Sequence, residues 1–196
     1  MSDIGFPVPG ARRGPSALAR RPGARHALPF CVLAALALAG CGTPVQDTPK
    51  QPAFYENLAK TGQPVDPEAA ASLFSDYRNT KGLNAVSVDP ALNKVAQDQA
   101  NAMAKADTLS HEVGGRTFVQ RMNASGYKPK VAVENVGAGY HTLAEAFSGW
   151  RDSPPHNKNM LAAGVTRMGI ATAFNPNSKY KVYWALVLAT PDDRAK

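Results

Sequence analysis

The chain has 196 residues, enough for one well-buried domain and too short for two ordinary ones, and its 22 Lys and Arg against 15 Asp and Glu give a formal charge of +7. Much of that charge is local: Arg12, Arg13, Arg20, Arg21 and Arg25 face only Asp3 before Gly40, and the remainder carries 17 basic against 14 acidic residues, a net of +3. No Lys/Arg cluster with interleaved aromatics is left, so a nucleic-acid partner is not expected.

The early arginines precede an apolar run, ALPFCVLAALALAG (Ala27 to Gly40), which is too short for a stable transmembrane anchor. A basic stretch followed by a short apolar one reads as a secretory signal peptide over residues 1–40. The run ends in Leu38-Ala39-Gly40-Cys41, which resembles a bacterial lipobox with Cys41 as the lipidated first residue of the mature protein. The alternative is a plain signal peptide cleaved near Ala39, with Cys41 incidental. The Arg pairs at 12–13 and 20–21 leave twin-arginine export open beside the general route. Cys31 falls in the discarded apolar run, so Cys41 is the one mature cysteine; a disulfide framework, a thiol nucleophile and a Cys-based zinc site are not expected. Acyl chains on Cys41 would hold the protein to the cell envelope, at the outer membrane in a Gram-negative cell.

Residues 41–65 carry prolines at 44, 49, 52 and 64 and read as an extended tether with a short apolar contact at Phe54 and Tyr55. Asp66-Pro67-Glu68 then opens the domain, residues 66–196, with a helix carrying Ala70, Leu73, Phe74 and Tyr77 and stopping near Gly82. Asp89-Pro90 opens a longer helix whose Leu92, Val95, Ala96, Gln99, Met103 and Ala104 share one face. A third helix is expected at 117–124 with Gly126 beyond its end. A strand follows at 131–139, then a helix at 142–151 stopped by Pro154-Pro155. Two β-rich runs, 165–174 and 180–190, flank Asn175-Pro176-Asn177-Ser178 as a hairpin. Helices first and a hairpin last, without βαβ alternation, predict an α+β fold in layers.

Four histidines occur, at His26, His111, His141 and His156. His111 lies on a loop after the long helix, where a lone histidine is ordinarily solvated or a cap. Glu145 in Thr142-Leu143-Ala144-Glu145 fits a capping box, its carboxylate reaching back to the amide of the capping threonine, and a site role is compatible with that. Glu134 sits inside an apolar strand, so a histidine, a metal or backbone donors are expected beside it. His156 follows two prolines and opens a short helical segment; His141 is expected to be exposed. Two neutral imidazoles can bind a divalent ion such as zinc while two carboxylates orient ligands or activate bound water. No Gly-x-Ser-x-Gly elbow, phosphate loop or His-Glu-x-x-His helix is present.

Taken in order, Asp89-Pro90-Ala91-Leu92, Ser110-His111, Gly126-Tyr127, Glu134-Asn135, Ala138-Gly139-Tyr140, Glu145 with Trp150, Ser153-Pro154-Pro155-His156, Asn159-Met160-Leu161, Met168-Gly169-Ile170 and Tyr183-Trp184 resemble a bacterial member of the CAP superfamily, the SCP-like extracellular domain. The resemblance implies a three-layer α-β-α sandwich and a cleft tetrad of His111, Glu134, Glu145 and His156, with a divalent ion, often zinc, held by His111 and His156. It implies either a binding module for lipid, glycan or protein, or a metal-assisted hydrolase with Glu134 or Glu145 as the catalytic candidate, or a purely structural tetrad. The eukaryotic disulfides are absent, no further module is expected beside the domain, and a monomer is expected. The closing strand continues as Ala185-Leu186-Val187-Leu188, without the polar residues that many bacterial members carry there.

Overall fold

The computed structural model describes residues 51–192; the expected signal peptide, Cys41 and the start of the tether lie outside them. A 3-10 turn, Ala53–Tyr55, leads to a short helix α1 (Leu58–Thr61) capped by the Asn57 side chain. Leu58 and Val65 are buried at 3% and 5% exposure. The second half of the expected tether is therefore packed onto the domain. The sequence signal was too small to show it: two isolated apolar residues among prolines and polar side chains.

Asp66 and Asp89 each accept two backbone N–H bonds in the first turn of a helix, with proline next in the chain. They start α2 (Pro67–Asn79) and α3 (Pro90–Ala106), since such a cap satisfies amides that have no partner inside the helix. Between these helices lies β1 (Ser87–Val88), a two-residue strand that the sequence did not announce. Thr117 and Gln120 form a reciprocal capping box for α4 (Phe118–Ala124). Next come β2 (Pro129–Ala138), α5 (Leu143–Asp152), α6 (Pro154–Met160), β3 (Arg167–Phe174) and β4 (Val182–Pro191). His156 thus lies within α6 rather than ahead of it, because Pro154 and Pro155 begin the helix instead of only ending the previous one.

Among the described residues the four strands form one sheet in the order β1-β3-β4-β2, parallel between β1 and β3 and antiparallel elsewhere. β4 is central and buried from Val182 through Ala189. Its alternate residues serve two cores. Val182, Trp184, Leu186 and Leu188 pack with Phe74 of α2 and with Leu143 and Trp150 of α5, whereas Tyr183, Ala185, Val187 and Ala189 pack with α3 and α4. The unbroken apolar run Ala185-Leu186-Val187-Leu188 follows from helices covering both faces of this strand. The result is the three-layer α-β-α sandwich, with the Trp150 and Trp184 rings edge to face at 6.5 Å in one layer.

The other layer packs backbone against backbone. Ala96, Ala100 and Ala104 of α3 are buried in the same core as Ala185 and Ala189 of β4. A Cβ at Gly169 of β3 would overlap the carbonyl of Leu92 and the amide of Asn93. Gly169→Ala is accordingly expected to lower stability by about 3 kcal/mol, the upper range for an overfilled core. A reduced urea midpoint checks this; an unchanged midpoint would mean that α3 can move off the sheet at little cost.

Candidate functional site

The site begins with a charge that cannot be left alone. Glu134 lies in β2 opposite Val187, and its side chain is 2% exposed. One carboxylate oxygen accepts from Nη2 of Arg121 at 2.5 Å and the other bonds to Nδ1 of His111 at 2.8 Å. Arg121 reaches inward from α4, and its Nη1 also donates to the carbonyls of His111 (2.8 Å) and Arg116 (2.9 Å). One buried guanidinium therefore neutralises Glu134 and fixes the loop that presents His111. Removing one partner of such a buried pair costs about 3–5 kcal/mol, because the other charge is stranded.

A carboxylate only accepts, so Nδ1 of His111 carries the shared proton and Nε2 is left for the cleft. The His111 side chain is 52% exposed, so this outer side faces solvent. Its hydrogen bond to Glu134 raises the pKa of His111, against an opposing effect of burial. His156 behaves the other way. Burial lowers its pKa first, and the charge of His111 adds to this. Nδ1 of His156 meets Ser153 Oγ at 2.9 Å, again leaving Nε2 without a partner among the described residues.

Two asparagines hold α6 against the edge of β2. Asn135 Nδ2 donates to the His156 carbonyl at 3.0 Å, and Asn159 Nδ2 donates to the Glu134 carbonyl and to Asn135 Oδ1. Glu145 takes no part in these hydrogen bonds. Its backbone N–H bonds to Thr142 Oγ1, as a cap requires, but its carboxylate takes the backbone N–H of His141 at 2.6 Å, one residue before the expected amide of Thr142. No hydrogen bond joins Glu145 to His111, Glu134 or His156 among the described residues. His141 is half-buried rather than exposed, and its carbonyl accepts from Leu58 N–H. Of the four residues named from sequence, the fold thus brings His111 and Glu134 into contact and puts His156 nearby. Arg121 was missed. The one signal for it was the need of Glu134 for a compensating charge, which does not say where in the chain that charge lies.

The family model described as CAP: Cysteine-rich secretory protein family matches residues 71–188, and the chain belongs to this family. The solved structure of an outer surface protein from Borrelia burgdorferi is similar over 66% of this chain and 98% of its own, at 19% identity and a TM-score of 0.58. An extracellular protein containing an SCP domain from Bacillus anthracis is similar over 62% of this chain and 39% of its own, at 21% identity and a TM-score of 0.55. Among curated relatives, an uncharacterized protein of Borreliella burgdorferi is 24% identical over 98 residues, which is 50% of this chain and 63% of that protein. At these identities the likeness of the two structures concerns the fold.

The two imidazoles make opposite contributions to pH dependence. The raised pKa of His111 stabilises the fold below the ordinary value of 6.5, and that contribution is lost as pH rises through the folded value. The lowered pKa of His156 stabilises the fold above 6.5, and that contribution is lost as pH falls through the folded value. In a proton–carbon NMR titration of the ring signals, His111 is expected to titrate above 6.5 and His156 below it. The reverse order would contradict the pairing of His111 with Glu134.

Proposed function

We propose that the protein is an exported binding module whose cleft presents two imidazoles, rather than a hydrolase. One observation carries this reading: among the described residues no third His, Cys, Asp or Glu side chain gathers with the two imidazoles to complete a catalytic metal site. Both oxygens of Glu134 are engaged, by Arg121 and His111, and one oxygen of Glu145 takes the backbone N–H of His141. The family membership and the likeness to extracellular and outer surface proteins support export.

A divalent ion in the cleft would be held by the Nε2 atoms of His111 and His156. Among the described residues no group of three or more His, Cys, Asp or Glu side chains gathers to hold a metal. Catalytic zinc takes three protein ligands, so this donor set suits an exchangeable ion completed by water and not a catalytic centre. The carboxylate behind His111 orients the ring, as an outer partner of a metal-bound imidazole does. Zinc titrated calorimetrically into the full chain is expected to bind one to one, and His111→Ala or His156→Ala is expected to abolish the heat while His141→Ala keeps it. Equal loss in the His141→Ala protein would overturn the assignment of the two ligands.

The same reading makes Cys41 a lipid anchor, with the protein held at the cell envelope. Its support is the lipobox-like Leu38-Ala39-Gly40-Cys41 at the end of an apolar run. Cys41→Ser is expected to stop incorporation of labelled fatty acid and to move the protein from the membrane to the soluble fraction. Continued membrane attachment of that variant would rule the anchor out.

A further inference from the structure

A second concave surface lies along α3, on the side where β3 is the edge of the sheet. β3 pairs with β1 only at Arg167 and Met168, so from Gly169 onward no strand among the described residues lies on the side of β3 away from β4. Two cavities of about 680 and 420 Å³ open there and share Pro64 and Gln97, forming one groove between α3, β3 and the chain around Pro64. The lining residues on α3 extend from Asn93 to Lys105. At 1.5 Å per residue that is a length of about 18 Å.

A row of amides lines the groove on its α3 side. Asn93 Oδ1 accepts from Ile170 N–H at 2.8 Å, and Gln97 Nε2 donates both to the Thr172 carbonyl at 3.0 Å and to Asn101 Oδ1 at 2.9 Å. Asn93, Gln97 and Asn101 succeed one another at intervals of four, so they stack along one face of the helix. These bonds occupy one end of each amide. Asn93 Nδ2, Gln97 Oε1 and Asn101 Nδ2 make no bond to another described residue, which leaves donor, acceptor and donor in succession. At the far end stands the ring of Phe174, 40% exposed and lying over Gly62. Charge is nearly balanced: Lys94 and Asp98 pair with each other at 3.2 Å, leaving Lys105.

We propose that this groove binds an uncharged, N-acetylated saccharide chain. Hydroxyl and acetamido groups each donate and accept, and a row of primary amides with both kinds of atom free meets them. The exposed Phe174 ring offers a flat apolar surface of the kind a sugar ring covers. An anionic ligand finds no concentrated positive charge, and a lipid tail would need a lining without this row of polar groups. An extended peptide would have to add to the β3 edge, whose amide of Ile170 and carbonyl of Thr172 are already occupied by Asn93 and Gln97. The saccharide site extends the binding-module reading but shares no residue with the cleft, so the two can fail separately.

The test is calorimetry and nitrogen-edited NMR on the full chain titrated with chitohexaose. Saturable binding is expected, with the backbone signals of Gly62, Asn101 and Phe174 shifting. Phe174→Ala and Asn101→Ala should each weaken it about tenfold, with unchanged melting curves. His111→Ala and His156→Ala should leave it unchanged. No saturable heat from a folded chain, or shifts confined to other residues, would overturn the proposal. Because the shifts are read on the wild-type chain, a variant that unfolds does not rescue it. Binding of a short peptide of alternating valine and threonine in the groove, without binding of the sugar, would overturn it in favour of strand addition.

Discussion

The pairing of Glu134 with Arg121 is the interaction on which the cleft depends. A carboxylate buried in a strand between Val133 and Asn135 needs a compensating charge, and Arg121 supplies it from a helix that begins only at Phe118. The same guanidinium binds the carbonyls of His111 and Arg116, so neutralising the strand and shaping the loop are one event. The direction of the His111 proton follows from it, as does the availability of Nε2. The chemistry open to the site is set by this pair: with the Glu134 carboxylate already engaged, what faces outward is Nε2 of His111.

The sheet shows one solution used twice. An exposed sheet edge offers unpaired backbone groups to any passing strand. At β2 the edge near Glu134 is covered by α6 through Asn135 and Asn159; at β3 the edge is covered by α3 through Asn93 and Gln97. Amides suit the task because each carries a donor and an acceptor on a short, uncharged side chain. Both candidate binding surfaces adjoin these covered edges, one with ionisable rings beside the amides and the other with amides and a phenyl ring. Between the two edges, β4 supplies the apolar interior of both layers.

Much of this fold was legible in the chain because its signals are local. Asp66-Pro67, Asp89-Pro90 and Thr117 with Gln120 act within one helical turn, and the buried face of α3, from Leu92 to Ala104, repeats at helical spacing. What was not legible is what long side chains do across the chain. Arg78, fully buried, donates to the carbonyls of Asn84, Met160, Ala162 and Val165, and burial lowers its pKa. Nothing near Arg78 in sequence announces those partners, which hold the end of α2 to the turn before β3. Arg121 is the same case. The order of motifs did place His111, Glu134 and His156 in one region, but it also included Glu145, whose carboxylate the fold directs to the backbone of His141. The short strand β1 escaped notice because two residues carry no periodicity.

The central position of β4 has a consequence for how the domain comes into being. β2 and β3 do not touch each other in the sheet; each pairs with β4, the last strand among the described residues. Until Val182–Pro191 has left the ribosome, both of its neighbours lack their hydrogen-bonding partner and both hydrophobic layers lack their middle. Helices can form earlier, but the sheet cannot: β3 and β4 meet as a local hairpin, while β2 reaches β4 only across the chain from Ala138 to Val182. Before β4 joins them, β2 and β3 have no common partner and neither core is complete. That is the condition in which a polypeptide can still be threaded through a membrane.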